Sequence, residues 1–401
     1  MDQFLIEPRF NALRGALFFE TTKLNALVSA EYYDNFDVYQ RLFQMYSWMT
    51  MNDEHEFVMH YMHGNSLVWQ PHKSCAWDPV GKVTMGQRTI TPCPAKVNQQ
   101  FCYDEYMDSS FKTWLNWSTG GPAIGFKPAG IAATNMLTRS LVENATRGYL
   151  ATLVAGKLHN VDTVVFNPAT PTDIRSAFVK TASTCRGWIP LLRAMSQEAG
   201  LAHLDTLPIS SSDISNDGKK YTGNILTVYD ALVEQAPQRL QDAIIEGGIP
   251  GFDGAAQTLM LVALPEYRAI YNQMLAQKNQ AVQNDPRITV REFPSAPGQT
   301  PIQVYYIDKT AIIPVNQTGV YDQYLPGTSH FAYLTVSGNV QLGGNFANIP
   351  RSRDGNVAIM IQQSQDAEDY GMYKMLAHSL MSSAINDVDY ITGGYLYATP
   401  S

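Results

Sequence analysis

The sequence predicts an α+β fold, and three observations carry that prediction. Apolar residues recur at helical spacing over residues 8–29, 134–160, 173–203 and 227–246. Aromatic and β-branched stretches broken by Gly and Pro fill residues 49–100 and return between 287 and 398. The two kinds of segment lie in blocks, with neither a train of βαβ units nor an internal repeat. With 401 residues, 45% of them apolar, the chain can build a sizeable core and has length for two or three domains.

In chain order, the first helix spans residues 8–29, with Pro8 in its opening turn and Leu13, Leu17, Leu24 and Val28 near helical spacing. A second short helix fits Asp37 to Trp48. Over 49–100, Gly64, Pro71, Pro79, Gly81, Gly86, Pro92 and Pro94 interrupt any helix, so this stretch reads as a long two-armed hairpin. The clearest helix begins at Thr134: Leu137, Leu141, Ala145, Tyr149 and Leu153 fall four apart, with Val142, Leu150, Val154 and Leu158 on the adjoining flank. At 1.5 Å per residue its roughly two dozen residues would span about 36 Å, enough for a beam across the subunit.

Residues 173–203 and 227–246 read as further helices, and the glycine-rich stretch 247–254 as a loop. Thr258 to Ala263 is a buried strand candidate, after which Pro265 opens a helix in its first turn. Strands follow at 287–293, 302–307, 310–315, 331–336 and 356–362. The chain closes on a strand over 389–398, with a bulge marked by Gly393 and Gly394.

Composition narrows the function. Charged residues make up 16% of the chain, against about 25% in ordinary soluble domains. It also carries 22 Tyr, 16 Phe, 6 Trp and 16 Met. Interfaces are depleted in Lys and Glu and enriched in aromatics and Met, so the balance fits a subunit buried on many sides. The net charge of -8 argues against a surface that grips nucleic acid, which needs clustered Lys and Arg. Cys75, Cys93, Cys102 and Cys185 form no CxxC pair and no zinc spacing, and are too sparse for a secreted disulfide framework; synthesis in a reducing cytoplasm is the simplest reading. The stretch Met1 to Pro8 lacks the form of a secretory signal, and no window reaches the 18 apolar residues of a membrane span.

The order of elements resembles the major capsid proteins of tailed double-stranded DNA bacteriophages, the Hong Kong 97 type of capsid fold. Residues 89–111, TITPCPAKVNQQFCYDEYMDSSF, are similar to the family's strand leaving its extended loop, and 134–160 look like its spine helix. Residues 258–275, TLMLVALPEYRAIYNQML, resemble the strand-to-helix segment of the axial domain, and 356–398 resemble the family's ending. The resemblance implies an N-terminal arm at 1–48, an extended loop at 49–100 and a peripheral domain with the spine helix at 101–165. An axial domain at 166–355 and a return to the peripheral domain at 356–401 complete it.

It further implies a structural, non-enzymatic role: self-assembly into pentamers and hexamers of an icosahedral head that encloses DNA without sequence-specific binding. The expected location is the virion, after synthesis in the host cytoplasm, with portal and decoration proteins as further partners and no membrane. Some members begin with an acidic helical scaffolding segment, and none precedes Asp2, so a separate scaffolding protein or a trimmed sequence is expected. Candidate contact residues between subunits are Tyr61, Trp69 and Trp77 on the hairpin, and Ile249 and Phe252 in the glycine-rich loop.

Two other readings compete. Another phage-type assembly component, such as a tail tube or a nanocompartment shell, would share this composition. A metal-dependent hydrolase could use His55, His60 and His63, since Glu56, His60 and His63 would share one face if 55–63 were helical. Yet HEFVMH is one residue longer than HExxH, which sets His55 and His60 about 140° apart around such a helix. No phosphate-cradle glycine motif and no GxSxG occurs, so catalytic residues, cofactor and metal are all expected to be none.

Overall fold

The computed structural model describes residues 46–50, 57–64, 83–102, 144, 147–246, 257–280, 287–293, 302–344, 359–363 and 372–400. The fold is mixed α+β, as the sequence predicts. Four strands come first: β1 (Tyr46–Thr50), β2 (Phe57–Gly64), β3 (Val83–Ile90) and β4 (Cys93–Cys102). Helix α1, described over residues 147–155, leads to α2 (Thr172–Ser183), α3 (Trp188–Ala199), α4 (Ile225–Gln235) and α5 (Gln238–Glu246). Strand β5 (Thr258–Val262) runs straight into α6 (Leu264–Gln280). The remaining strands are β6 (Ile288–Phe293), β7 (Ile302–Ile307), β8 (Thr310–Pro314), β9 (Thr328–Val336), β10 (Val340–Gly344), β11 (Ile359–Gln363), β12 (Met372–Ile385) and β13 (Ile391–Ala398).

One sheet of six strands has the order β13-β9-β5-β8-β7-β6, with β5 and β8 parallel and the other pairs antiparallel. Its central strand β5 is buried along its whole length, because both faces of the sheet are covered. Strand alternation divides the core in two. Leu259, Leu261, Phe331 and Tyr333 face Leu153 of α1, Phe178 of α2 and Trp188 of α3. Met260, Val262, Ala332 and Leu334 face Tyr229 and Leu232 of α4, Leu240 of α5 and Ile270 of α6. The result is a three-layered body, helices on sheet on helices.

The second sheet has the path β1-β10-β12-β11, with β4 also paired to β12 over ten residues. The chain passes directly between the two sheets from β9 to β10 and again from β12 to β13. Asn339, nearly fully buried, sews these crossings together: its side-chain amide donates to Thr335 Oγ1 and to the carbonyls of Asp387 and Tyr390, and its Oδ1 accepts from the Asp387 N–H.

Several expectations need correction. The helix expected over Asp37 to Trp48 fails at its end, because Tyr46–Thr50 is a strand paired in parallel with β10. Pairing outweighs local helical spacing there. The long helix expected to 160 stops at 155, since Gly156 lies against the Cys185 carbonyl. Residues 173–203 split into α2 and α3 at a turn, and 227–246 split at Pro237, which holds Ala236 extended.

Candidate functional site

Among the described residues, the hairpin of β2 and β3 forms a two-stranded sheet apart from the two larger ones. β2 and β3 pair antiparallel from Phe57 opposite Ile90 to Gly64 opposite Val83, and among the described residues β2 pairs with β3 alone. Aromatic and β-branched residues such as Phe57, Val58, Tyr61, Val83, Thr84, Thr89 and Ile90 favour extended backbone here, and Gly64, Gly86 and Pro92 work against a helix. At the root, Ile90 packs with Leu380 and Ala384 of β12, with Met49 of β1 against them. After Thr91 and Pro92 the chain enters β4 at Cys93, which is joined by a disulfide to Cys185, with Cα atoms 5.7 Å apart. This bond corrects the expectation of free thiols in a reducing cytoplasm: Cys93 and Cys185 form no CxxC pair, and a separation of 92 residues carries no signal in the sequence.

Cys185 sits in the turn between α2 and α3, and this turn is held rigidly. Gly187 N donates to Gly156 O at 2.8 Å, Ser383 Oγ of β12 donates to Arg186 O at 2.8 Å, and Lys157 N donates to Ala182 O at 2.6 Å. A Cβ on Gly187 would stand 2.4 Å from the Val154 backbone, so only glycine permits this approach. Tyr149 of α1 donates to Leu380 O at 2.9 Å, tying the same helix to the sheet. The root is therefore a fixed pivot on the body.

A second cluster lies deep in the six-stranded body. His330 Nδ1 is 2.6 Å from Glu266 Oε1, and His330 Nε2 is 2.9 Å from Gly218 O; both side chains are 0% exposed. Gly218 O can only accept, so Nε2 carries a hydrogen and one further proton lies between Nδ1 and Oε1. Burial pushes the Glu266 carboxyl above its ordinary range. Burial alone would lower His330, but its bond to Glu266, the charge of Glu266, the Gly218 carbonyl and Asp322 together raise it. Asp322 accepts from Ser329 N and Oγ, yet burial pushes its carboxyl up to about 6. Sealed from solvent, the His330–Glu266 pair cannot reach a substrate; it ties the 211–221 loop to β9 and α6. Pro265 marks that helix start in the sequence, but its distant partner His330 has no signal there.

Of the residues expected to make contacts, Tyr61 lies on β2 opposite Gly86. Trp69, Trp77, Ile249 and Phe252 lie outside the described residues, as do His55 and Glu56. His60 and His63 sit on strand β2 opposite Gln87 and Thr84, so the helical spacing that the metal reading needs is absent from 57–64. Among the described residues no group of three or more His, Cys, Asp or Glu is placed to hold a metal ion, and no helix is long and apolar enough to cross a membrane.

No known family model and no curated protein matches the sequence. Solved structures are similar to it over most of its length. Among them are structures from phages and from GTA particles. A structure from Gordonia phage Cozz is 11% identical, with 88% of this chain and 85% of that chain covered and a TM-score of 0.45. The capsid of a native GTA particle is 9% identical, with 90% and 89% covered and a TM-score of 0.41. The satellite phage P4 procapsid including the size determination protein is 11% identical, with 86% and 92% covered and a TM-score of 0.40. Identities of 9–11% and TM-scores below 0.5 leave the functional reading to stand on the chain's own residues.

Proposed function

We propose that this chain is a shell-forming structural protein, the major capsid protein of a tailed double-stranded DNA phage. Copies tile an icosahedral head as pentamers and hexamers and enclose the genomic DNA without reading its sequence. The observation that carries this reading is the hairpin, whose strand β2 has no pairing partner beyond β3 among the described residues. A two-stranded hairpin is marginal in water at best, so its stability must come from a further surface. A neighbouring copy supplies one, and Tyr61, Trp69 and Trp77 are the residue types that bury large area at small entropic cost.

The other supports are compositional. A charged fraction of 16% suits a subunit with many repeated interfaces, and a net charge of -8 suits a container that must not adhere to the duplex it holds. On this reading residues 1–48 are an arm, 49–100 the extended loop, 101–165 and 356–401 a peripheral domain, and 166–355 an axial domain that brings Ile249 and Phe252 toward the symmetry axis. A separate scaffolding protein, a portal and decoration proteins are the partners, and the site of synthesis is the host cytoplasm.

Negative-stain electron microscopy of the expressed chain, with and without a co-expressed scaffolding partner, tests it. Closed shells support the proposal. Tubes or rings would assign the chain to a tail component instead, and a compact monomer under all conditions, or a stoichiometric bound metal, would sink it.

A further inference from the structure

We infer that Cys93 and Cys185 form an oxidation site that closes after the chain has folded and covalently fixes the root of the hairpin to the helical body. Neither cysteine depends on the bond for its position. Cys93 is placed by the ten-residue ladder between β4 and β12, in which it stands opposite Met381. Cys185 is placed by the backbone bonds of the turn to Gly156 and Ala182 and by Ser383, together with the close approach of Gly187 to α1. The two thiols therefore meet in the folded dithiol, and a reducing compartment does not prevent folding.

Exposure sets the order of the chemistry. Cys185 is 2% exposed, whereas Cys93 is only partly buried, so an oxidant reaches Cys93 first. With a small disulfide such as glutathione disulfide, the Cys93 thiolate attacks one sulfur, forms a mixed disulfide and expels one glutathione thiolate. The Cys185 thiolate then attacks the Cys93 sulfur and expels the second. Two protein thiols lose two electrons and two protons, and one glutathione disulfide becomes two glutathione thiols. The latch closes a loop of 92 residues that includes β4 and α1. Because β3 joins β4 through Thr91 and Pro92 alone, fixing Cys93 also fixes the direction in which the hairpin leaves the body.

The test uses the full chain expressed in a reducing cytoplasm and lysed into N-ethylmaleimide, with a parallel sample titrated with glutathione disulfide before alkylation. Peptide mapping without reductant should show both thiols alkylated in the first sample and a Cys93–Cys185 cross-link in the second. On closure, amide hydrogen exchange over residues 83–97 should slow about tenfold. Cys93→Ser should abolish both the cross-link and the slowing, and wild-type protein returned to dithiothreitol gives the same comparison without a substitution. A cross-link already complete in the trapped lysate, none after oxidant, one to Cys75 or Cys102, or closure with unchanged exchange would each overturn the inference. The latch belongs to the single chain, so it is read on protomers, and its failure is distinct from a failure to build shells.

Discussion

Glu266 and His330 hold one proton between them across 2.6 Å, with Gly218 O fixing the hydrogen on the other ring nitrogen. That arrangement makes folding a proton-uptake reaction above the ordinary histidine range. In the unfolded chain His330 loses its proton near pH 6.5, whereas in the folded chain its pKa is raised. Its stabilising contribution is therefore complete below about pH 6.5 and is lost as pH rises through the folded value, at up to about 1.4 kcal/mol per pH unit. Asp322 acts in the same sense at lower pH. Its carboxyl moves from 3.8 to about 6, so folding takes up a proton in that window. Across it, stability falls with rising pH by about 3 kcal/mol in all. Urea unfolding between pH 4 and 8.5 should show a loss of stability toward the alkaline end. Glu266→Gln, whose amide can donate to a neutral Nδ1, should flatten the curve above pH 6.5, and Asp322→Asn should flatten it between 4 and 6. A wild-type curve that climbs toward pH 8 would count against both assignments.

At the scale of elements, glycine positions separate space from propensity. Gly393 of β13 has φ 151°, and a Cβ there would stand 2.2 Å from Ala332 O, so Gly393→Ala should cost roughly 2 kcal/mol or more. Gly148 of α1 has nothing within 4 Å of its would-be Cβ, so Gly148→Ala should stabilise by about 0.5–1 kcal/mol. Thermal denaturation of the two variants should move the midpoint in opposite directions, and a shared direction would contradict the account. The closing strand is legible in the sequence, but the bulge expected at Gly393 and Gly394 does not form: β13 pairs with β9 residue for residue from Ile391 to Ala398, and the two glycines instead permit close approach to Ala332 and to Thr206. Most strands of the six-stranded sheet are legible as short runs rich in β-branched or aromatic residues, and 302–307 matches residue for residue; β5 is legible instead as an unbroken apolar run ending at the Pro265 helix start. What local pattern could not reveal were the features set by distant partners. Tyr46–Thr50 becomes a strand because β10 is available to pair with it, and the α2–α3 turn exists because Gly187 must meet Val154. Pro237 is a local signal masked by the apolar helical pattern that runs across it: it holds Ala236 extended and so ends α4 at Gln235.

For the whole molecule, the decisive question is whether the hairpin belongs to its own subunit or to a neighbour. The body closes without it: both faces of the six-stranded sheet are covered by helices, and Asn339 and the Cys93–Cys185 bond hold the second sheet and the root in place. The outer pairing from Tyr61 opposite Gly86 to Gly64 opposite Val83 adds no strand to either large sheet among the described residues. Deleting residues 62–86 and bridging the gap with a short Gly-Ser linker should thus leave the body's melting midpoint within a few degrees of the full chain. Particle formation should be lost, because a shell subunit deprived of its reaching element loses the contact that orders it against the next copy. Circular dichroism and electron microscopy on the same preparation read the two effects separately. Normal-sized particles from the shortened chain would remove the hairpin from the assembly mechanism. Collapse of the body would show that the hairpin is part of the chain's own core, and either result would defeat the hairpin's proposed role as the contact with a neighbouring copy.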